Sequence, residues 1–144
     1  MSAHDAYGAL VEGRAVCQGY SDAVKIICDY YGIPCVCISG TSDGGGHMWN
    51  AIQMEDGKWY FVDLTWDDQE SSIYYDFFLI GSDTRDTYFG GYKFYESHVN
   101  DPVLVLPNLQ YAITAYNKTQ NHNTLSSGDN SARNSDLTFL DWNL

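Results

Sequence analysis

Three residues whose side chains can perform nucleophilic catalysis follow one another along the chain: Cys17, His47 and Asp63. A thiol nucleophile needs a base to take its proton, and that base needs a carboxylate that fixes its tautomer and stabilises its positive charge. Cys17 opens a predicted helix, His47 follows three glycines where a strand begins, and Asp63 lies inside the next predicted strand. The residue types and their settings predict a cysteine-dependent catalytic triad.

Cys17 lies where a nucleophilic thiol would be expected. Free backbone N–H groups and the helix dipole favour a thiolate at a helix N-terminus. The alternative is a buried structural cysteine, but Gln18 and Gly19 follow it rather than bulky apolar residues. The backbone N–H of Cys17 is a candidate donor to an oxyanion, and the Gln18 side chain or the Tyr20 hydroxyl could be the second donor. The remaining cysteines are assigned to packing: Cys28, Cys35 and Cys37.

The settings of His47 and Asp63 support the same interpretation. The glycines before His47 allow a close approach of the backbone to a helix or a substrate, which a histidine without a role would not need. Asp63 is a carboxylate among apolar and aromatic residues, and buried carboxylates are rare unless they are paired. His47 is the predicted partner, and the alternative is an exposed aspartate on an edge strand. Of the other histidines, His98 is the best candidate for an accessory role, ahead of His4 and His122.

The segments around these three residues resemble the transglutaminase-like superfamily, in particular its bacterial members. The resemblance extends from about Ala6 to Asp68 and rests on five blocks: Tyr7–Gly13, Val16–Ser21, Gly32–Pro34, His47–Asn50 and Trp59–Asp67. It implies an α+β fold with a catalytic helix packed on an antiparallel sheet, and it assigns the triad to Cys17, His47 and Asp63. Family members also have helices upstream of the catalytic helix. We therefore expect a piece of a longer protein or a shortened copy, in which a partner chain could replace those helices.

Hydrophobic periodicity predicts the elements that position the triad. A one-sided apolar stripe predicts a helix that stops at Gly32: Tyr20, Val24, Ile27, Cys28 and Tyr31. A short buried strand, a loop and two further strands follow at Cys35–Gly40, Thr41–Gly46, His47–Met54 and Lys58–Trp66. Weaker signals predict a strand or a packed extended segment at Tyr74–Ile80 and an edge strand at Pro102–Pro107.

Length and composition indicate one domain. A chain of 144 residues is long enough for a hydrophobic core, which we place at residues 1–110, and residues 111–144 are predicted to be a polar linker or arm with a short apolar tail. The net charge of −12 argues against nucleic acid and anionic membranes as partners, since both depend on cationic side chains. No segment has the apolar length of a membrane span. Cys28, Cys35 and Cys37 provide no C-x-x-C pair for a zinc site, and we predict no metal. We also predict no cofactor.

The predicted reaction is acyl transfer at an amide bond through an acyl-thioester on Cys17. Water as the acceptor would make the protein a cysteine protease or amidase, and a lysine amine would make it a transglutaminase. The resemblance implies a peptide or protein amide substrate, with cell-wall peptides as one candidate, and favours the cell envelope or exterior. Four residues are candidates for the oxyanion or substrate site: Gln18, Tyr20, Trp49 and Trp66. The alternative function is a non-catalytic binding module that retains the fold within a larger surface protein.

The triad also predicts the register of the hairpin between its two strands. His47 and Asp63 can interact only if their side chains share one face of the sheet. A two-residue turn at Asp56-Gly57 would place them on opposite faces. A three-residue loop, Glu55–Gly57, with Gly57 in the left-handed conformation would place them on the same face. A structure with the two-residue turn and no bulge would contradict the triad.

Overall fold

A computed structural model describes residues 3–87, 89–102 and 109–117 of the chain. A π-helical turn at Gly8–Glu12 precedes helix α1 at Cys17–Tyr30, and two short helices follow, α2 at Leu64–Asp67 and α3 at Phe94–Ser97. The strands are β1 Cys35–Ser42, β2 Gly45–Gln53, β3 Trp59–Val62, β4 Asp68–Gln69, β5 Ser72–Ile73, β6 Phe78–Ile80 and β7 His98–Asn100.

Five of these strands form one antiparallel sheet in the order β6-β3-β2-β1-β7, and β4 and β5 form a separate pair. The predicted α+β class is confirmed, because α1 packs on this antiparallel sheet, as in a transglutaminase-like core. None of the helices within the described ranges has the length and apolar character needed to cross a membrane.

Helix α1 forms because its apolar residues recur on one side. The buried apolar side chains of this side are Ala23, Val24, Ile27 and Cys28. The helix is followed by Gly32, which has a φ of 69° and makes the predicted stop. The prediction that Tyr31 belongs to the buried stripe is wrong. Its side chain is 58% exposed, because the helix ends at the preceding residue.

The sheet separates two hydrophobic clusters, because side chains alternate between its two faces along each strand. The cluster under α1 comprises Val24, Cys28, Cys35, Ile52, Tyr60, Val62, Phe78, Leu79, Ala112 and Tyr116. The cluster on the opposite face comprises Ile38, Trp49, Ala51, Phe61, Phe77, Ile80 and Phe94. His47 lies two residues before Trp49 in β2 and therefore projects from the second face.

The hairpin between β1 and β2 is tighter than predicted. The expected loop over residues 41–46 is wrong, because β1 continues to Ser42 and β2 begins at Gly45. Only Asp43 and Gly44 connect the strands, with φ values of 50° and 76°. Positive φ at both central residues is typical of the type I′ turn that Asp-Gly sequences favour.

The hairpin between β2 and β3 has the predicted three-residue loop. The Met54 N–H donates to the Lys58 carbonyl at 3.0 Å, which encloses Glu55–Gly57, and Gly57 has a φ of 76°. Ala51 then pairs with Phe61, so the register that lets His47 and Asp63 share a face is confirmed. The predicted strand to Trp66 is wrong, because β3 ends at Val62 and Asp63 is the N-cap of α2, which begins at Leu64.

The described segment that follows residue 110, where we predict the boundary between core and arm, packs on the core. Ala112 and Tyr116 are buried in the cluster under α1. The Ala112 N–H donates to the Trp59 carbonyl at 2.8 Å, and the Tyr116 N–H donates to the Leu79 carbonyl at 2.9 Å. The segment 109–117 therefore extends the core. Most of the predicted Pro102–Pro107 strand, and the predicted arm beyond residue 117, lie outside the described residues.

Gly40 permits the close approach of β7 to β1, and its substitution provides a test of this arrangement. A Cβ at Gly40 would lie 2.0 Å from the backbone oxygen of Val99, which cannot withdraw without disturbing the strand pairing. We expect Gly40→Ala to lower the free energy of unfolding by about 1–3 kcal/mol in urea titrations. Gly46→Ala is the control, because its Cβ would meet nothing within 4 Å. Equal stabilities of the two variants would contradict this account of β7.

Candidate active site

Cys17 is the first residue of α1, as predicted. Val16 is the N-cap residue, with an extended backbone and no side-chain hydrogen bond to the first turn. The N–H groups at this end of the helix therefore have no side-chain cap, and their partial positive charge favours an anion. The Cys17 thiol is free and half-buried. In the same turn, a Cβ at Gly19 would lie 2.7 Å from the Ala3 oxygen, so the N-terminal segment packs directly on it.

Two contacts fix the direction of α1 on the sheet. Asn50 Nδ2 in β2 donates to the Ser21 carbonyl at 3.0 Å. Further along the helix, Cys28 packs in one buried cluster with Cys35, at the start of β1, and Ile52, near the end of β2. Helix α1 therefore runs antiparallel to β1 and parallel to β2. Its first residue, Cys17, lies at the end of the sheet where β2 begins.

His47 and Asp63 are directly hydrogen-bonded. His47 Nε2 lies 2.6 Å from Asp63 Oδ2, and the two side chains are only 9% and 1% exposed. Because an ionised carboxylate can only accept, Nε2 carries the proton and Nδ1 of the neutral ring keeps its lone pair. Asp63 is the sole hydrogen-bond partner of the His47 ring within the described residues, so Nδ1 is available as a base.

The Asp63 carboxylate accepts three hydrogen bonds. Oδ2 accepts from His47 and also from His98 Nε2, which lies 2.7 Å away. Oδ1 accepts from the backbone N–H of Trp66 at 3.2 Å, as the N-cap of α2. Burial acts to raise the pKa of Asp63, but the hydrogen bonds and charges of the two histidines outweigh it and lower the pKa. The carboxylate therefore stays ionised although it is buried.

His98, which the sequence ranks first of the other histidines for an accessory role, joins the pair of His47 and Asp63. It begins β7 opposite Ser42 of β1, and its side chain is 0% exposed. Its Nδ1 lies 2.8 Å from Ser97 Oγ, and its ring stacks on Phe94 with centroids 4.1 Å apart. Burial lowers the pKa of His98, and the hydrogen bond to Asp63 opposes this only in part, so the ring is neutral at neutral pH. The sole sequence signal is a polar Ser-His pair after an aromatic segment, since the contact depends on long-range pairing.

The ligand types of His47, Asp63 and His98 also suit a metal ion, and their ligand atoms lie within 4.8 Å of one another. The two Nε2 atoms, however, lie 2.6 and 2.7 Å from a single oxygen. Nitrogen and oxygen ligands at about 2.1 Å from a tetrahedral metal are roughly 3.4 Å apart. The observed geometry fits two hydrogen bonds and does not fit a preformed metal site.

The two tryptophans predicted for the substrate site have different environments. Trp49 is 0% exposed, and its ring stacks on His47 with centroids 5.8 Å apart. It therefore packs against the histidine from the core, and its role in an oxyanion or substrate site stays a prediction. Trp66 is half-buried, and its ring centroid lies 6.5 Å from that of His47. It remains a candidate for substrate contact.

The two candidate oxyanion donors on α1 also differ. Gln18 is exposed directly beside Cys17. The Tyr20 hydroxyl donates to Asp68, and burial together with this hydrogen bond raises the pKa of Tyr20. Because the single hydroxyl proton goes to Asp68, Tyr20 would have to give up this hydrogen bond to donate to an oxyanion. Gln18 remains the side-chain candidate.

A cavity of about 460 Å³ lies beside Trp66. Its other walls include Asp43 from the first hairpin, Tyr92, and Glu96 and Ser97 from α3. Ser97 also contacts the His98 ring, so this residue connects the wall of the cavity to the cluster around Asp63. It is the candidate substrate cleft.

The remaining cysteines pack around one buried amide. Cys28 and Cys35 are buried and Cys37 is half-buried, all as free thiols. Asn50 Nδ2 lies 3.7 Å from Cys35 Sγ and 3.6 Å from Cys37 Sγ. These positions agree with the predicted packing role and leave Cys17 as the thiol at the helix terminus.

Cys17 and His47 lie at the same end of the sheet, but no hydrogen bond joins them in the part of the chain that the structure describes. Helix α1 packs on the face that carries Asn50, and His47 projects from the other face. Catalytic hydrogen bonds are often long in a free enzyme and tighten when substrate binds. The structure therefore unites two members of the predicted triad and places the third at the same end of the sheet.

Comparison with protein families agrees with this architecture. Residues 1–64 match the family model of the transglutaminase-like superfamily. The match confirms the resemblance seen in the sequence, and the matched stretch contains Cys17, His47 and Asp63. It suggests a cysteine-dependent enzyme, since the superfamily usually has a Cys-His-Asp triad. A search of curated proteins finds no match. His98 lies outside the matched stretch.

The buried cluster predicts how stability depends on pH. The pKa of His98 is lowered on folding from its ordinary value of 6.5, so the unfolded chain takes up a proton at this residue before the folded chain does. The free energy of unfolding should therefore fall as pH drops below 6.5, by at most about 1.4 kcal/mol per pH unit for this proton. Asp63, whose pKa is lowered from 3.8, adds a second loss only below that pH.

Urea titrations between pH 5 and pH 7.5 measure this dependence. His98→Gln is the matched variant, because its side chain keeps an N–H donor but cannot take up a proton. Below pH 6.5, the free energy of unfolding should fall more steeply with decreasing pH in the wild type than in His98→Gln. Identical slopes would show that His98 titrates alike in the folded and unfolded chains.

Proposed function

We propose that this protein is a cysteine-dependent acyl-transfer enzyme that acts on amide bonds of peptides or proteins. The observation that carries the proposal is the hydrogen bond from His47 Nε2 to Asp63 Oδ2, at 2.6 Å. It leaves His47 Nδ1 as a base at the end of the sheet where Cys17 begins α1. The family match over residues 1–64 supports the same chemistry.

The first half-reaction forms an acyl-enzyme. His47 Nδ1 takes the proton of the Cys17 thiol, and the sulfur attacks the carbonyl carbon of the amide. Asp63 stabilises the imidazolium that results. When the tetrahedral intermediate collapses, the carbon–nitrogen bond breaks and the imidazolium gives its proton to the leaving amine or ammonia. An acyl-thioester on Cys17 remains.

The negative charge of the tetrahedral intermediate needs donors that are already in place. The N–H groups of the first turn of α1 have no cap from the N-cap side chain, and the Cys17 N–H belongs to the residue that carries the sulfur. The exposed Gln18 side chain can supply a second donor. The intermediate would therefore be stabilised by the same helix terminus that favours the thiolate.

The second half-reaction returns the thiol. His47 takes a proton from water or from a primary amine, which attacks the thioester carbonyl and releases Cys17. Water gives hydrolysis, and an amine gives a new amide bond. Access to the thioester decides between them, and the cavity beside Trp66 offers the carboxylates of Asp43 and Glu96 to a cationic amine.

The alternative function is a non-catalytic binding module. The observation that favours it is that His47, Asp63 and His98 satisfy one another without the thiol. Such a module would keep the buried cluster for stability and would bind its partner elsewhere. Its Cys17 would react no faster than an ordinary exposed thiol.

Labelling with iodoacetamide at pH 6, followed by peptide mass mapping, separates the two functions. We expect Cys17 to react before Cys28, Cys35 and Cys37, because the helix terminus and His47 favour its thiolate. His47→Ala should slow Cys17 labelling by at least about tenfold, since thiolate formation then lacks its base. His4→Ala, at an exposed residue, should leave the rate unchanged.

A rate at Cys17 that is the same in the wild type and in His47→Ala would contradict the enzyme and favour the module. Incubation with a glutamine-containing peptide provides the second readout. Intact-protein mass spectrometry should then detect an acyl adduct that Cys17→Ser lacks. Adding a fluorescent primary amine distinguishes transamidation from hydrolysis, because only transamidation incorporates the label.

A further inference from the structure

We infer that His98 is a positioning residue of the active site, whose buried ring holds the Asp63 carboxylate in the orientation that His47 requires. The site is then a chain of four side chains, in which Cys17 is followed by His47, Asp63 and His98. This inference rests on the proposed function. It adds a residue that lies outside the segment matched by the family model.

The first argument is the geometry at Asp63. Oδ2 accepts two ring N–H groups, at 2.6 Å from His47 and 2.7 Å from His98, and Oδ1 accepts the Trp66 N–H at 3.2 Å. With only His47 and Trp66 as donors, Oδ2 could follow any movement of the His47 ring. The second ring fixes Oδ2 from another direction, so the carboxylate imposes an orientation on His47.

The second argument is that His98 is itself immobilised. Its ring stacks on Phe94 at an interplanar angle of 13° and meets the edge of Trp49 with centroids 5.0 Å apart. Ser97 Oγ binds its Nδ1 at 2.8 Å, and its backbone belongs to β7, which pairs with β1. A ring held on all sides is a rigid donor, which is what a positioning role requires.

The third argument is the charge of the cluster. Asp63 and His47 are the charged or titratable side chains that face His98 in the described residues, and its other neighbours are aromatic rings and Ser97. A protonated His98 would neutralise Asp63 and weaken its support for the imidazolium of His47. A neutral His98 donates the same hydrogen bond without this cost. The buried setting that keeps His98 neutral therefore preserves the negative charge that His47 needs.

Two variants of His98 test the inference. His98→Gln keeps an N–H donor that can reach Asp63, and His98→Leu removes the donor at similar volume. We expect His98→Leu to slow Cys17 labelling at pH 7 by about tenfold or more, since misplaced catalytic groups cost up to about 10²-fold. The midpoint of the pH profile of labelling should also move to higher pH. His98→Gln should restore most of the rate and the wild-type profile.

Phe94→Leu is the control for a purely structural role. It loosens the packing around His98 but leaves the donor in place, so it should lower thermal stability without moving the pH profile. If His98→Leu does not fold, His98→Asn replaces it, because the shorter amide cannot reach Asp63. If folded His98→Leu or His98→Asn is labelled at Cys17 at the wild-type rate and with the wild-type pH profile, the inference is wrong.

The same measurements separate this inference from the proposed function. If His47→Ala leaves Cys17 labelling unchanged, the enzyme itself is contradicted. If His47→Ala slows labelling and His98→Leu does not, the enzyme stands and His98 is only a core residue. Slower Cys17 labelling in both His47→Ala and His98→Leu, together with a restored rate in His98→Gln, supports the chain of four side chains.

Discussion

The structure depends on one interaction, the burial of the Asp63 carboxylate between two histidines. An ionised carboxylate that is 1% exposed is strongly disfavoured unless donors replace its water. His47, His98 and the Trp66 N–H supply three such donors from three parts of the chain. Strand β2, strand β7 and helix α2 must therefore converge on the end of β3. The negative charge of Asp63, although costly to bury, would stabilise an imidazolium at His47.

Small features of the backbone make this convergence possible. The three-residue loop with Gly57 places His47 and Asp63 on one face, where a two-residue turn would have separated them. The absence of a side chain at Gly40 lets β7 lie close enough to bring His98 to the carboxylate. Trp49 fills the core behind the His47 ring. Helix α1 is fixed from the other face by Asn50, which directs Cys17 to the same end of the sheet.

Local sequence patterns were sufficient to predict part of this arrangement. Residue types and spacing predicted α1 with Cys17 at its start, and the need for His47 and Asp63 to share a face predicted the loop at Glu55–Gly57. The end of β3 could not be read from its apolar sequence, because the Asp63 side chain caps α2 and stops the strand. His98 ranked first among the other histidines for an accessory role, but its contact with Asp63 could not be predicted, since it arises only when β7 pairs with β1, far away in sequence. The burial of Trp49 likewise depends on packing between strands and not on its neighbours in the chain.

The protonation state of the His47 ring tests the central claim most directly. Long-range ¹⁵N–¹H NMR correlation on protein labelled in its histidines identifies which ring nitrogen carries the proton, with His47→Ala for assignment. Asp63 as an acceptor at Nε2 requires the Nε2–H tautomer, with an unprotonated Nδ1 available to the thiol. We expect this single tautomer at pH 7.5, and its loss in Asp63→Ala. A proton on Nδ1, or an even mixture of tautomers in the wild type, would contradict the account.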